Sequence, residues 1–288
     1  MSLGILTNVA ATYAENNLNQ TQGSLQTVLQ QLSSGSRINS GADDAAGLSV
    51  ADGLHANEAA LTQSAQNAQN GVGLLQTADG ALSQVTNLLD RATTLATEAM
   101  NGGLTGAQST AADTEFQSIV KEIGNIGTAT TFNGTAVFGA GATNFVVTDG
   151  TTAGTTTIGA VIGALTAGSV GTTGAPSATA AGAGAVLTGT DLTSSANATA
   201  ALAAITSAVA DVANQRGSIG ANINQLNAAA NVASSEQVNL SSAESSIRST
   251  NYGQATSDLA KFQVLSQTGI SALAQANSVQ QEILKLLQ

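Results

Sequence analysis

Cysteine and tryptophan are missing from this chain, and proline and histidine each occur once. Without cysteine there is no disulfide framework, no thiol nucleophile and no thiolate metal site. With His55 as the single histidine, a His-based metal cluster or catalytic triad cannot be assembled, and His55 reads as a solvated helix residue. Aromatics are 2% of the residues and charged side chains 9%. A core must therefore be built from Ala, Leu, Ile and Val, whose small side chains let helices approach closely. Basic residues are scarce as well, seven against 18 acidic ones, and the net charge of −11 makes DNA, RNA and anionic membranes poor partners. Nowhere do 18 apolar residues run together, and the start, MSLGILTNVAATYAENN, has neither a basic n-region nor an apolar h-region. The expectation is a soluble chain that spans no membrane and, if secreted, leaves without a cleaved signal peptide.

What the sequence has is a seven-residue beat. Gly47, Leu54, Leu61, Ala68, Leu75, Leu82, Leu89 and Ala96 stand seven apart, and Val50, Ala78, Val85, Ala92 and Ala99 fall three places after members of that series. Apolar residues at alternating intervals of three and four line one side of a helix, which is the seam of a coiled coil and needs a partner surface. The beat returns at Ile205, Val212, Ile219, Leu226, Ala233, Leu240 and Ile247. A shorter antiparallel helix is expected around Phe116, Ile119, Val120, Ile123 and Ile126, after the Asn101-Gly102-Gly103 stop.

Both ends of the chain are helical by the same criterion. Ala11, Leu18, Leu25 and Leu32, with Ala14 and Val28, mark a first helix that ends at Ser33-Ser34-Gly35. Leu265, Ala272, Val279 and Leu286, widened by Leu259, Phe262, Leu273 and Ile283, mark a last one that starts after Asn251. The two are nearly neutral: residues 1–32 carry only Glu15, and residues 253–288 carry Asp258, Lys261, Glu282 and Lys285. By contrast, ten acidic residues between Asp43 and Glu122 face only Arg91 and Lys121. The long-helix layer is solvated on one side, whereas the terminal pair is made for burial against further copies of the chain.

Between the halves the composition turns to Gly, Thr, Ala and Ser. Asn133-Gly134 is a hairpin turn, residues 144–148 and 156–158 look like short strands, and Pro176 lies in loop. The predicted fold is mainly α: a long antiparallel coiled-coil bundle formed by both chain ends, with a small β-rich insert. Its parts are an N-terminal assembly helix over 1–35, rod segments over 36–139 and 196–251, the insert over 140–195, and a C-terminal assembly helix over 252–288.

No motif for chemistry competes with this reading. Asp43-Asp44 without an aromatic-lined pocket are helix caps rather than an acid/base pair. Gly71-Val72-Gly73 and Gly139-Ala140-Gly141 lack the Lys of a phosphate loop. The N-glycosylation patterns at Asn133, Asn197 and Asn239 are frequent by chance, and the Ser/Thr-rich insert is a candidate for O-linked sugar. No cofactor is called for.

The motifs at both ends resemble bacterial flagellin. In the N-terminal half these are Leu32-Ser33-Ser34-Gly35, Arg37-Ile38-Asn39-Ser40, Asp43-Asp44-Ala45-Ala46-Gly47-Leu48, Gln76-Thr77-Ala78 with Gly80-Ala81-Leu82, and Phe132-Asn133-Gly134. The C-terminal half answers with Gln215-Arg216, Asn239-Leu240, Ser246-Ile247-Arg248 and Leu273-Ala274-Gln275-Ala276-Asn277 before Leu284, Leu286 and Leu287.

The resemblance implies an extracellular subunit that self-polymerises into the flagellar filament for swimming motility. Its partners would be its own copies, an export chaperone, the filament cap and hook-associated proteins. The assembly residues implied are Leu3, Leu6, Leu18, Leu25, Val28, Leu29 and Leu32 at one end. At the other they are Leu259, Phe262, Leu265, Leu273, Ala274, Gln275, Ala276, Asn277, Ile283, Leu284, Leu286 and Leu287. Innate immune receptor contact in the family maps to Leu89, Arg91, Leu95 and Glu115, although Asp90 stands where the family has Gln. The segment after Ile247 also lacks the family's usual acidic residues. A hook-filament junction protein of the same family and a secreted coiled-coil adhesin are the alternatives.

Overall fold

The computed structural model describes residues 8–139, 142–151, 155–166, 169–170 and 187–286. The elements are α1 (Val9–Ser34), α2 (Ala45–Ala99), α3 (Gly106–Ala129), β1 (Thr131–Phe132), β2 (Thr135–Ala136), β3 (Ala142–Val147), β4 (Thr156–Val161), β5 (Leu165–Thr166), β6 (Ser169–Val170), α4 (Ser195–Arg248) and α5 (Tyr252–Leu286). The expected helical ends and central strands are all present, and the chain divides into two compact units. One joins residues 1–56 to 239–288, and the other is residues 57–238. Pro176 and the Ala/Gly run around it lie outside the described residues.

In the 57–238 unit the heptad seam is the core. Leu61, Ala68, Leu75, Ala78, Leu82, Val85, Leu89, Ala92, Ala96 and Ala99 of α2 are buried, facing Ala198, Ala201, Ile205, Ala208, Val212, Ile219, Leu226 and Ala233 of α4. The two helices run antiparallel: Arg216 reaches Asp79, Gln237 reaches Thr62, and Ser195 reaches the carbonyl of Met100. Phe116, Ile119, Val120 and Ile123 bring α3 onto the same core. Each fully buried Leu or Ile contributes about 1.5–3 kcal/mol relative to exposure, so this seam dominates the stability of the unit.

On α2 the repeat asks for an apolar side chain at Asn57, Ser64 and Gly71 and finds none. All three meet the insert, Asn57 lying against Gly150. Ser64 Oγ donates to the Thr148 carbonyl at 2.6 Å and accepts from the Thr148 amide at 2.8 Å. A Cβ on Gly71 would crowd Phe145 of β3 and Leu226 of α4. β3 and β4 pair antiparallel from Ala142↔Val161 to Val147↔Thr156. Ala160, Ile162, Leu165 and Leu187 join the core, so the insert's described strands extend the helical packing.

Asn133 and Gly134, both at positive φ, form the two-residue turn between β1 and β2. Gly127 of α3 lies so close to the Leu165 carbonyl of β5 that no side chain fits. By length and composition α4 would be apolar enough to cross a membrane, but core helices meet the same criterion, and its stripe packs in this core.

In the terminal unit α1 and α5 pair along their length, and a hydrogen-bonded knot closes one end. Gly35 at φ 70 ends α1, and the ring hydroxyl of Tyr252 lies 2.8 Å from where its Cβ would be. The Arg37 amide donates to the Arg248 carbonyl at 2.7 Å, the Thr250 amide donates to the Gly35 carbonyl at 3.1 Å, and the Arg37 guanidinium caps the Ile247 carbonyl. Asp43 accepts from the amides of Asn39 and Ser40, and Asp44 accepts from the Gly47 amide as the cap of α2. Asn251 caps α5 through the amides of Gly253 and Gln254.

The glycines set up a controlled pair of substitutions. Gly127→Ala should lower stability by about 1–3 kcal/mol by forcing β5 off α3. Gly23→Ala, where a Cβ meets nothing within 4 Å, should raise it by about 0.5–1 kcal/mol. Urea titration of the two variants beside the parent checks both signs.

Candidate assembly face

The pairing of α1 with α5 sorts the predicted assembly residues into two sets. Leu18, Leu25, Val28 and Leu32 of α1 meet Leu259, Phe262, Leu273 and Ala276 of α5 and are buried or half-buried. Leu18 packs against Gly269, and Asn8 donates through Nδ2 to the Ala276 carbonyl at 3.0 Å. Leu29 and Leu265 remain 46% and 42% exposed, and Ala274, Gln275 and Asn277 are also at the surface. Leu3, Leu6 and Leu287 lie outside the described residues. For Ile283, Leu284 and Leu286 only the backbone of the last helical turn is described.

The stripe of α5 that reads most regularly in sequence, Leu265, Ala272 and Val279, is therefore left exposed, with Leu265 and Ala272 along the groove beside α1. The side chains read as widening it make the intramolecular contact. The reason is helical phase: Leu259, Phe262, Ser266, Gly269, Leu273 and Ala276 follow alternating steps of three and four, and Gly269 lets Leu18 approach. Sequence reasoning missed Tyr13, Val264 and Ile270, which are 68%, 62% and 48% exposed. Their signal was available, since an apolar residue off the stripe of an almost uncharged helix has nothing within its own chain to cover it. In all, α1 buries Val28 alone, and Ala255 is the buried apolar residue of α5 among the described side chains.

An open groove of about 530 Å³ runs between the two helices, with Phe262 and Leu265 on one wall and Leu18, Thr21 and Ser24 on the other. The threonine hydroxyls of the two helices are satisfied within them. Thr12, Thr21 and Thr27 of α1, and Thr256 and Thr268 of α5, each donate to the carbonyl four residues back. A hydroxyl already paired leaves no orphan donor when another surface covers it.

The residues matched to receptor contact fall on α2 and α3. Leu89 and Leu95 are core residues, 0% and 3% exposed, because they occupy seam positions or their neighbours on α2. Arg91 and Glu115 are exposed and hold each other in a two-pronged pair, Nε to Oε1 at 2.7 Å and Nη2 to Oε2 at 3.0 Å. The pairing holds the Glu115 carboxyl below its usual range and raises the Arg91 guanidinium. His55 is exposed, 3.5 Å from Glu244.

Residues 5–143 match the profile of the bacterial flagellin N-terminal helical region, and residues 202–287 match that of the C-terminal helical region. The chain belongs to the bacterial flagellin family. This flagellin is 32% identical over 286 residues to the flagellar filament 30.7 kDa core protein of Treponema maltophilum, covering 97% of this chain and 98% of that one. It is 38% identical over 151 residues to flagellin 1 of Proteus mirabilis, covering 52% of this chain and 41% of that protein. Among solved structures, Bacillus cereus flagellin is similar with a TM-score of 0.45 and 25% identity, over 58% of this chain and 88% of that one. Names of this kind, flagellins and a filament core protein, do not favour a junction protein or an adhesin.

Carboxyls in the turns of this flagellin are held in their charged form by neighbouring donors. Asp43 is held below the usual carboxylate range by the amides of Asn39 and Ser40 and the Ser40 hydroxyl. Asp191 is held low by the Thr193 hydroxyl, Asn197 and the Thr193 amide. A carboxyl whose folded pKa lies under its unfolded value, about 4, contributes stability that is complete above that value and disappears as pH falls through the folded one. Asp43→Asn should therefore show a smaller drop in thermal midpoint between about pH 5 and pH 3 than the parent chain. An equal drop would remove Asp43 from the list of acid-labile contacts.

Proposed function

We propose that this flagellin is a structural subunit that polymerises with its own copies into an extracellular flagellar filament, and that its role is mechanical rather than catalytic. The observation that carries the reading is the terminal helix pair. α1 and α5 are amphipathic, carry few charges and satisfy their threonine hydroxyls within the helix, yet they bury little against each other. Tyr13, Val264, Leu265, Ile270 and Val279 are left in water. Ordering each terminal residue costs about 1–2 kcal/mol of backbone entropy, so a pair with so little burial needs more covering surface than one chain offers. Further copies supply it, and a helical arrangement of heterologous contacts grows without closing.

The family adds partners for the same ends: an export chaperone, a filament cap and hook-associated proteins. Of the residues matched to receptor contact, Arg91 and Glu115 are the two a receptor can reach from solvent. Torque applied at the base of such a polymer passes from copy to copy through the terminal helices, so assembly and function rest on the same faces.

Electron microscopy of seeded protein under precipitating salt tests the reading. Full-length chain should give long uniform filaments, and a chain lacking residues 1–32 and 254–288 should give none. Leu265→Lys and Ile270→Lys should abolish growth with the monomer's circular dichroism unchanged, while Ser257→Lys, near the start of α5, keeps it. Growth by the two lysine variants at parental rate would overturn the assignment of that face. The rate should also rise with added salt, because screening shortens the range of repulsion between acidic copies.

A further inference from the structure

Two polar side chains are fully buried among the described residues, Ser64 and Gln215, and they are treated differently. Ser64 exchanges hydrogen bonds in both directions with the backbone of Thr148. Gln215 is 1% exposed, and neither its Oε1 nor its Nε2 has a partner. It stands on the core stripe of α4 between Val212 and Ile219, where the repeat asks for an apolar side chain. A buried amide with both functions unmatched raises the free energy of the packing that contains it.

The helices are soft at the same level. Gly217 and Gly220 of α4 and Gly80 of α2 are interior helical glycines, and a Cβ at any of them would meet nothing within 4 Å. Packing does not require them, and each weakens its helix relative to alanine. Beside them lies a groove of about 430 Å³ lined by Asp79 of α2 and by Ala213, Arg216, Ile219, Gly220 and Ile223 of α4. Arg216 closes it, donating from Nε to Asp79 Oδ1 at 2.7 Å and from Nη2 to Oδ2 at 3.4 Å.

We propose that α4 has a second local packing over residues 213–220, in which a partial rotation about its axis turns the Gln215 amide into this groove to donate to the Asp79 carboxylate while Arg216 releases it to water. The device is an exchange of which side chain holds Asp79. In the packing described above, Arg216 is latched and Gln215 is orphaned in the core. In the second, the amide is paired, the guanidinium is hydrated, and Val212 and Ile219 lose part of their contact. The orphaned amide raises the first state and the glycines ease the second, so the gap between them is small enough for both to be populated.

Hydrogen exchange by mass spectrometry on the full-length monomer tests this. Protection factors over 213–221 should be at least about tenfold lower than over 205–212 and 222–229, although all three stretches share one buried stripe. Gln215→Leu keeps the size and removes the amide, so it should bring 213–221 up to the flanks and raise the thermal midpoint. Gly217→Ala with Gly220→Ala should do the same without touching the core, and decides the matter if the leucine variant does not fold. Equal protection across the three stretches in the parent chain, or a Gln215→Leu chain that folds but exchanges as fast as the parent, would overturn the proposal.

Discussion

The seam between α2 and α4 is the interaction on which the 57–238 unit depends, and its chemistry follows from what the chain has too little of. Aromatics are only 2% of the chain, so apart from Phe116 and Phe138 the volume of this core is filled by Leu, Ile, Val and Ala. Alanine takes the narrow positions at Ala68, Ala78, Ala92 and Ala96 on one helix and Ala198, Ala201 and Ala208 on the other. Leu75, Leu82 and Leu89, fully buried between them, fix the register. The positions where the repeat falters have a structural reason as well. Ser64 and Gly71 leave the space and the hydrogen bonds that β3 and the turn after it require.

The terminal unit obeys a different constraint. Its knot between residues 35–44 and 247–252 is held almost wholly by backbone groups and caps, with Ile38 as its buried apolar anchor. Such hydrogen bonds give geometry more than net stability, since each replaces a bond to water. The helices leaving the knot are placed accurately and stabilised weakly. That combination suits elements whose remaining burial is supplied by other molecules, because weak intramolecular packing leaves their outer faces free while the knot sets their direction.

Much of this was legible in the sequence because heptads and caps are local. The seams, α3 with Phe116 and Ile123, the turn at Asn133-Gly134, the cap at Asp43-Asp44, the break at Asn251, and β3 and β4, though not β5 and β6, all follow from spacing and turn chemistry. What could not be read was any choice between equally apolar faces. Leu265 and Phe262 differ little in hydrophobicity, and α1 decides between them through the approach of Leu18 to Gly269. Leu89 and Leu95 carry a family resemblance to contact residues, yet burial on α2 removes both from the surface. Arg91 and Glu115 are 24 residues apart, and only the antiparallel return of α3 reveals that they hold each other.

Charge distribution ties the two kinds of surface together. The acidic residues are densest between Asp43 and Glu122, and Asp43 and Glu115 there, like Asp191 just before α4, are held in charged form by their partners. Acidic surfaces of like charge repel one another over about a Debye length, roughly 8–10 Å at moderate salt. The terminal helices, with Glu15 the one charge over residues 1–32, carry no such barrier. In the filament proposed above, association would thereby be directed: random encounters meet repulsion between acidic surfaces, and the nearly neutral terminal faces are the ones left to reward contact. The hydroxyl-to-carbonyl bonds within α1 and α5 complete the arrangement, since a threonine hydroxyl already paired within its helix leaves no orphan donor when another surface covers it.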